Sequence, residues 1–301
     1  MKYKKSICVL VFFIVGLSLL AGITGVLSGG GQEGQTFLSI HGETVPLYGK
    51  GIYKNDSIAA AAQAIAQDLV TVLLGIPLLI ISCMLAGKKS IRARILLAGT
   101  LAYFLYTYMS YSFLCTYNYL FLVYVALMSL SFFALVLVMI SFDRKELGQA
   151  FGDEIPVKTI GILMILFTCA IALMWTGRII PPLIGGEVPP GLEHYTTLVI
   201  QVMDLGFVIP ISLLAAILLM GRKPVGLLLA SVMCMKGATM LTSLTAMVIN
   251  QALAGVEMSV FEIVIFPLAN ILVLFGVVIF MKKIKEPEVY EMIDKQEGQE
   301  E

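Results

Sequence analysis

Long apolar runs alternate with short charged breaks along the whole chain. A helix that crosses a bilayer needs about 20 consecutive apolar residues. Eight stretches reach that length: 6–28, 62–86, 95–116, 119–141, 159–178, 196–220, 225–250 and 259–281. The pattern predicts an all-α integral membrane protein with eight transmembrane helices. Residues 1–28 also fit a signal peptide, with Lys2, Lys4 and Lys5 as its charged start. Their apolar run exceeds the usual span of about 7–15 residues, however, and no small-residue cleavage site follows it. A retained first helix is therefore expected.

Lys and Arg set the orientation, because cytoplasmic loops carry their excess. With the first terminus inside, the inner segments are 1–5, 87–94, 142–158, 221–224 and 282–301. They hold sixteen Lys or Arg residues; the outer segments hold only Lys50, Lys54 and Arg178, and Lys236 falls within a span. An error in the number of spans would destroy this alternation. The expected location is the cell membrane, with both termini cytoplasmic and the lipid bilayer as the chief partner.

Composition supports the membrane class. The chain is 59% hydrophobic and 13% charged, against about 25% charged residues in soluble proteins. No basic stripe with interleaved aromatics occurs, so nucleic acid is not an expected partner. Cys8, Cys83, Cys115, Cys169 and Cys234 are scattered and form no CxxC, which excludes a disulfide framework, a zinc site and a dithiol motif.

The longest outer segment, 29–61, carries two β-prone runs, 36–40 and 44–48, around His41, Gly42 and Glu43. They predict a small hairpin. Asp56 or Ser57 is placed to cap the helix that follows. Pro181, Pro182, Pro189 and Pro190 predict a stiff outer connection over 179–195. The acidic segment 286–301 reads as a disordered cytoplasmic tail.

Residues 1–150 and 151–285 form two membrane halves of four spans each. Their second helices share an aspartate near the outer end (Asp68, Asp204), a mid-span proline (Pro77, Pro210) and a Gly-Lys/Arg-Lys exit. An internal duplication with both halves the same way up is expected, as in some transporters.

Ionisable groups inside spans mark functional sites by default, because lipid leaves them costly. Here they are Asp68, Asp204, Lys236 and Glu262. At helical spacing Gln67 lies beside Asp68, Gln201 shares a face with Asp204, Thr239 with Lys236, and Asn270 with Glu262. These eight residues form the expected intramembrane polar site, with an Asp204–Lys236 pair at its centre. The same residues also suit plain interhelical hydrogen bonding. Tyr103 and Tyr106 lie deep enough to need buried partners.

The four-plus-four layout is similar to that of haem A synthase. The only histidines, His41 and His194, lie in outer segments, so a haem held by histidine pairs has no support. HExxH, GxSxG and P-loop motifs are absent, and no cofactor or metal is expected. The reading is a transporter-like or permease-like protein for a small solute or ion. A sensor or assembly partner working through the outer loop and tail is the alternative, and a lipid-modifying enzyme a weaker one.

Overall fold

The computed structural model describes residues 2–31, 34–88, 90–150 and 155–286. Among these, seven helices are long and apolar enough to cross a membrane: Lys4–Val26, Ile58–Ala86, Phe121–Met139, Val157–Gly185, Val199–Met220, Pro224–Leu253 and Val260–Lys283. The protein thus belongs to the polytopic helical membrane class. The elements in chain order are α1 (Lys4–Val26), β1 (Thr36–Leu38), β2 (Thr44–Pro46), α2 (Ile58–Val70), α3 (Ile76–Ala86), α4 (Ile91–Phe113), α5 (Phe121–Met139), α6 (Arg144–Ala150), α7 (Val157–Gly185), α8 (Val199–Met203), α9 (Ile209–Met220), α10 (Pro224–Leu253) and α11 (Val260–Lys283). The stretch predicted as the third span is α4, a full 23-residue helix. Its tyrosines, threonines and serines make it more polar than the other seven.

Two wide π turns interrupt long helices. Thr71–Gly75 joins α2 to α3, and Asp204–Val208 joins α8 to α9. In each, an isoleucine N–H reaches back five residues: Ile76 to the Thr71 carbonyl and Ile209 to the Asp204 carbonyl. The cause is the proline that follows in both, Pro77 and Pro210. A proline has no N–H, and its ring crowds the carbonyl four residues back. One wide turn relieves that crowding without ending the helix.

The four helices α1, α3, α4 and α5 close into a ring, since α1 packs on both α3 and α5 and α4 on both α3 and α5. The second half is looser. There α7 packs on α9, α9 on α10 and α10 on α11. Helix α10 is the hub, with 67% of its apolar window buried against 17% for α7 and for α11. Close approach of α4 to α10 depends on Gly99, where a Cβ would overlap the Met235 side chain.

Helix ends gather at two faces. At one face Lys4 Nζ reaches the Gly87 carbonyl, Arg92 Nε donates to the Ile284 carbonyl at 2.6 Å, and Lys285 N–H donates to the Ala150 carbonyl at 3.0 Å. Arg94, buried, pairs with Glu146 there and lies over the Phe142 ring. Glu286 caps α4, accepting from Ser90 Oγ, Ile91 N–H and Arg92 N–H. The predicted tail is thus anchored at its first residue; 287–301 lie outside the described residues.

At the other face the predicted hairpin is present, with Phe37 opposite Val45. Gly42, at φ 82°, takes the turn, and Ser39 Oγ accepts from His41 and Glu43 N–H. Ser57 caps α2, accepting from Ala60 N–H at 3.1 Å. One expectation needs correction. The segment with Pro181 and Pro182 is helical, because α7 continues to Gly185. The missing donors of the two prolines fall near the helix end, and Gly186 in the left-handed region closes it, with Glu187 N–H on the Pro182 carbonyl at 2.9 Å.

Candidate functional site

The eight expected residues separate into distinct places. Asp68 lies inside the first ring, 1% exposed. Tyr53 Oη donates to its Oδ2 at 2.6 Å, and Tyr111 Oη lies 3.0 Å from its Oδ1. The Tyr111 hydroxyl is also 2.9 Å from the Ala64 carbonyl, so one proton serves two acceptors. The carboxylate fits because residue 25 is glycine: a Cβ there would overlap Asp68. Tyr108 and Tyr124 stack nearby, their buried hydroxyls without a protein partner. Among the described residues no cation lies within ion-pair distance of Asp68.

Gln67 belongs to a second group, on the seam where α2 packs along α10. Its Nε2 donates to Tyr103 Oη at 2.7 Å and to Thr107 Oγ1 at 2.9 Å. Tyr103 Oη also meets Thr71 Oγ1 at 2.9 Å and Ser243 Oγ at 3.2 Å. Three helices are thereby tied by one tyrosine, and all five side chains are buried.

The third group lies where α8 approaches α4. Asp204 opens its π turn and accepts from Tyr106 Oη at 2.8 Å and from Trp175 Nε1 at 2.9 Å. Lys236, on α10, sits over the Tyr106 ring with Nζ 3.8 Å from the centroid. The expected direct Asp204–Lys236 ion pair is not formed: Asp204 accepts from the Tyr106 hydroxyl, while Lys236 lies over the face of the same ring. Among the described residues no carboxylate lies within 4.0 Å of the Lys236 ammonium. Lys236 is only 7% exposed. A lysine so largely buried, with a ring face as its contact, is costly to keep charged, although the cation–π contact returns part of that cost.

The remaining expected residues do other work. Thr239 Oγ1 turns back to the Met235 and Lys236 carbonyls. Asn270 accepts from Thr242 at 3.1 Å and joins α11 to α10. Glu262 completes the capping box of α11 with Ser259. Gln201 is buried one helical turn before Asp204.

Sequence reasoning left Trp175, Tyr53 and Tyr111 out of the site and gave Tyr106 no partner. A signal existed for Trp175, since the chain has a single tryptophan and a buried indole N–H seeks an acceptor. The π turns align the two proline-containing helices in a register different from the expected one. Asp68 precedes its proline by nine residues and Asp204 by six, about one helical turn apart. Measured from the π turns, Asp204 corresponds to Thr71.

A further polar group clamps the face that carries the hairpin. Buried Asp56 accepts through Oδ1 from Thr116 N–H at 2.8 Å, Thr116 Oγ1 at 2.9 Å and Tyr195 Oη at 3.1 Å, while its Oδ2 has no partner. Burial raises its pKa above the usual carboxylate range, against those donors. Burial likewise raises Glu193 in the adjoining loop. His194 Nε2 meets the Asn55 carbonyl at 3.0 Å, and its ring lies against Phe37 and Tyr195.

Groups of three or more His, Cys, Asp or Glu able to hold a metal are absent among the described residues. Two surface cavities, of about 420 Å³ around Arg178 and Pro190 and about 500 Å³ around Lys158 and Met220, lie at helix ends; neither is lined by the Asp204 group. No family model, curated protein or solved structure matches the chain.

Proposed function

We propose that this protein is a transporter-like or permease-like protein of the cell membrane, with eight spans and both termini cytoplasmic. Helix α4 is the added span. It starts at the face of Arg92 and Glu286 and ends at the face of Asp56 and Thr116, and its 23 residues cover about 34 Å. Its polar side chains turn towards α2, α8 and α10, away from lipid. The face holding Lys4, Arg92, Arg94 and Lys285 is the basic one, which favours the cytoplasm. The matched π turns before Ile76-Pro77 and Ile209-Pro210 favour a parallel duplication.

One observation carries the functional reading: among the described residues no carboxylate lies within ion-pair distance of buried Lys236, although Asp204 is bonded to the tyrosine beneath it. A plain structural staple would bring the two charges together, since an unpaired ammonium in lipid is costly. Charges kept apart at mid-membrane suit a site whose partner arrives and leaves. Asp204 takes the proton-coupling role in this reading, Lys236 receives the solute, and Asp68 stays sealed within the first ring.

Proteoliposomes loaded with a pH-sensitive dye test it. A panel of amino acids, organic acids and amines is added outside, and proton movement is followed. At least one solute should drive proton flux, and Asp204→Asn, still folded by gel filtration, should abolish it. Absence of solute-driven flux across the panel, or full flux in Asp204→Asn, would overturn the reading.

A further inference from the structure

We infer that the Asp204–Tyr106–Lys236 group binds a lipophilic carboxylic acid that arrives sideways from the bilayer, between α4 and α8. The inference rests on the site proposed above and names its ligand.

The two seams between the halves differ. In one, α2 packs along α10 and the gap is filled by Gln67, Thr71, Tyr103 and Ser243. In the other, α8 meets α4 at few positions, and the Tyr106–Asp204 bond bridges them. Tyr106, Asp204 and Trp175 are only half-buried, and the flanking Val202 and Phe207 are 57% and 56% exposed. This loosely packed seam is flanked by exposed apolar side chains. Exposed apolar margins favour a ligand that arrives from the bilayer.

Charge complementarity selects the head group. Among the described residues no acceptor meets the Lys236 ammonium, and its three N–H donors favour a ligand that brings an oxygen anion. Lys236 is about 18 Å along α10 from its inner end, close to mid-membrane, where a permanently charged phosphate head is hard to bring. A carboxylic acid can make the journey neutral. At the site it gives its proton to the Asp204 carboxylate: RCOOH and Asp204 COO⁻ become RCOO⁻ and Asp204 COOH. The new carboxylate then pairs with the Lys236 ammonium, and the net charge of the site is unchanged. Tyr106 spans both ends of this exchange, with its hydroxyl on Asp204 and its ring under Lys236.

The single tryptophan supplies the readout, because Trp175 is hydrogen-bonded to Asp204. Protein in nanodiscs is titrated with stearic acid carrying a nitroxide a few carbons from its carboxyl, and separately with the methyl ester of the same molecule. The acid should quench Trp175 fluorescence saturably, about tenfold or more tightly than the ester. Lys236→Met should reduce the acid to the level of the ester, and Lys236→Arg should retain most of the binding. Equal quenching by acid and ester in the native protein, or unchanged acid binding in Lys236→Met, would overturn the inference. Should Lys236→Met fail to fold, Asp204→Asn carries the same comparison, losing the preference for acid over ester. Saturable acid binding without proton flux in the proteoliposomes would sink the transport reading and leave this one standing. Flux with another solute, and no preference for the acid, would sink this one alone.

Discussion

Lys236 Nζ lies 3.8 Å from the centre of the Tyr106 ring, so a tyrosine on α4 carries the charge of a lysine on α10. Its hydroxyl points the other way, to Asp204 at 2.8 Å. Removing the hydroxyl and removing the ring should therefore have different effects. Tyr106→Phe should cost about 1 kcal/mol of stability for the lost hydrogen bond and leave the stack intact. Tyr106→Leu should cost about 1–2 kcal/mol more, for the lost cation–π contact and the changed packing. Thermal unfolding in detergent measures both, and equal loss in the two variants would show that the ring does not support Lys236.

Gly25 makes room for the Asp68 carboxylate. Gly25→Ala should destabilise the first ring by about 1–3 kcal/mol, the usual cost of overpacking. Asp68→Asn is nearly the same size and should not relieve the clash. Asp68→Ala in the Gly25→Ala background should relieve it, so the double variant should be less damaged than the sum of the two single ones. Strict additivity in a melting assay would mean that the two residues do not meet.

Asp56 clamps the face that carries the hairpin, and the sign of its pH response follows from its pKa. Burial raises Asp56 and Glu193 above their ordinary values. The folded state then holds these protons at pH values where the unfolded state has lost them. Stability is highest in acid and falls as pH rises through the raised values. His194 interacts electrostatically with Asp56, so the comparison belongs in a His194→Gln background. There, hydrogen-exchange protection of residues 187–198 should be greater at about pH 5 than at about pH 7.5, and Asp56→Asn should flatten part of that difference. At neutral pH Asp56→Ala should cost about 1–3 kcal/mol, because it strips the acceptor from Thr116 and Tyr195. Weaker protection in acid would reverse the sign and the assignment.

The sequence by itself determined the membrane class, the helix stretches and the hairpin. Each follows from local chemistry: apolar run length against bilayer thickness, at about 1.5 Å of rise per residue, and a Gly-containing turn between β-prone runs. Helical spacing also led to the expectation that Asp68, Asp204 and Lys236 face the bundle interior; Asp68 and Lys236 are buried, while Asp204 is half-buried. Spacing could not give their partners. Phe104 and Tyr106 are two residues apart on one helix, yet Tyr106 meets Asp204 and Lys236 while Phe104 packs within the first ring. That outcome depends on how α4 is rotated against α8 and α10, which periodicity within one helix does not encode. The π turns illustrate the same limit. Pro77 and Pro210 announce a disturbance, but a kink, a break and a wide turn are all open to a proline until neighbouring helices hold the backbone. The tertiary structure alone decided that Asp68 is sealed by Tyr53 and Tyr111, and that Asp204 borders an open seam. Polar side chains within a membrane bond to whatever donors packing brings near, and here packing closed one seam and left the other ajar.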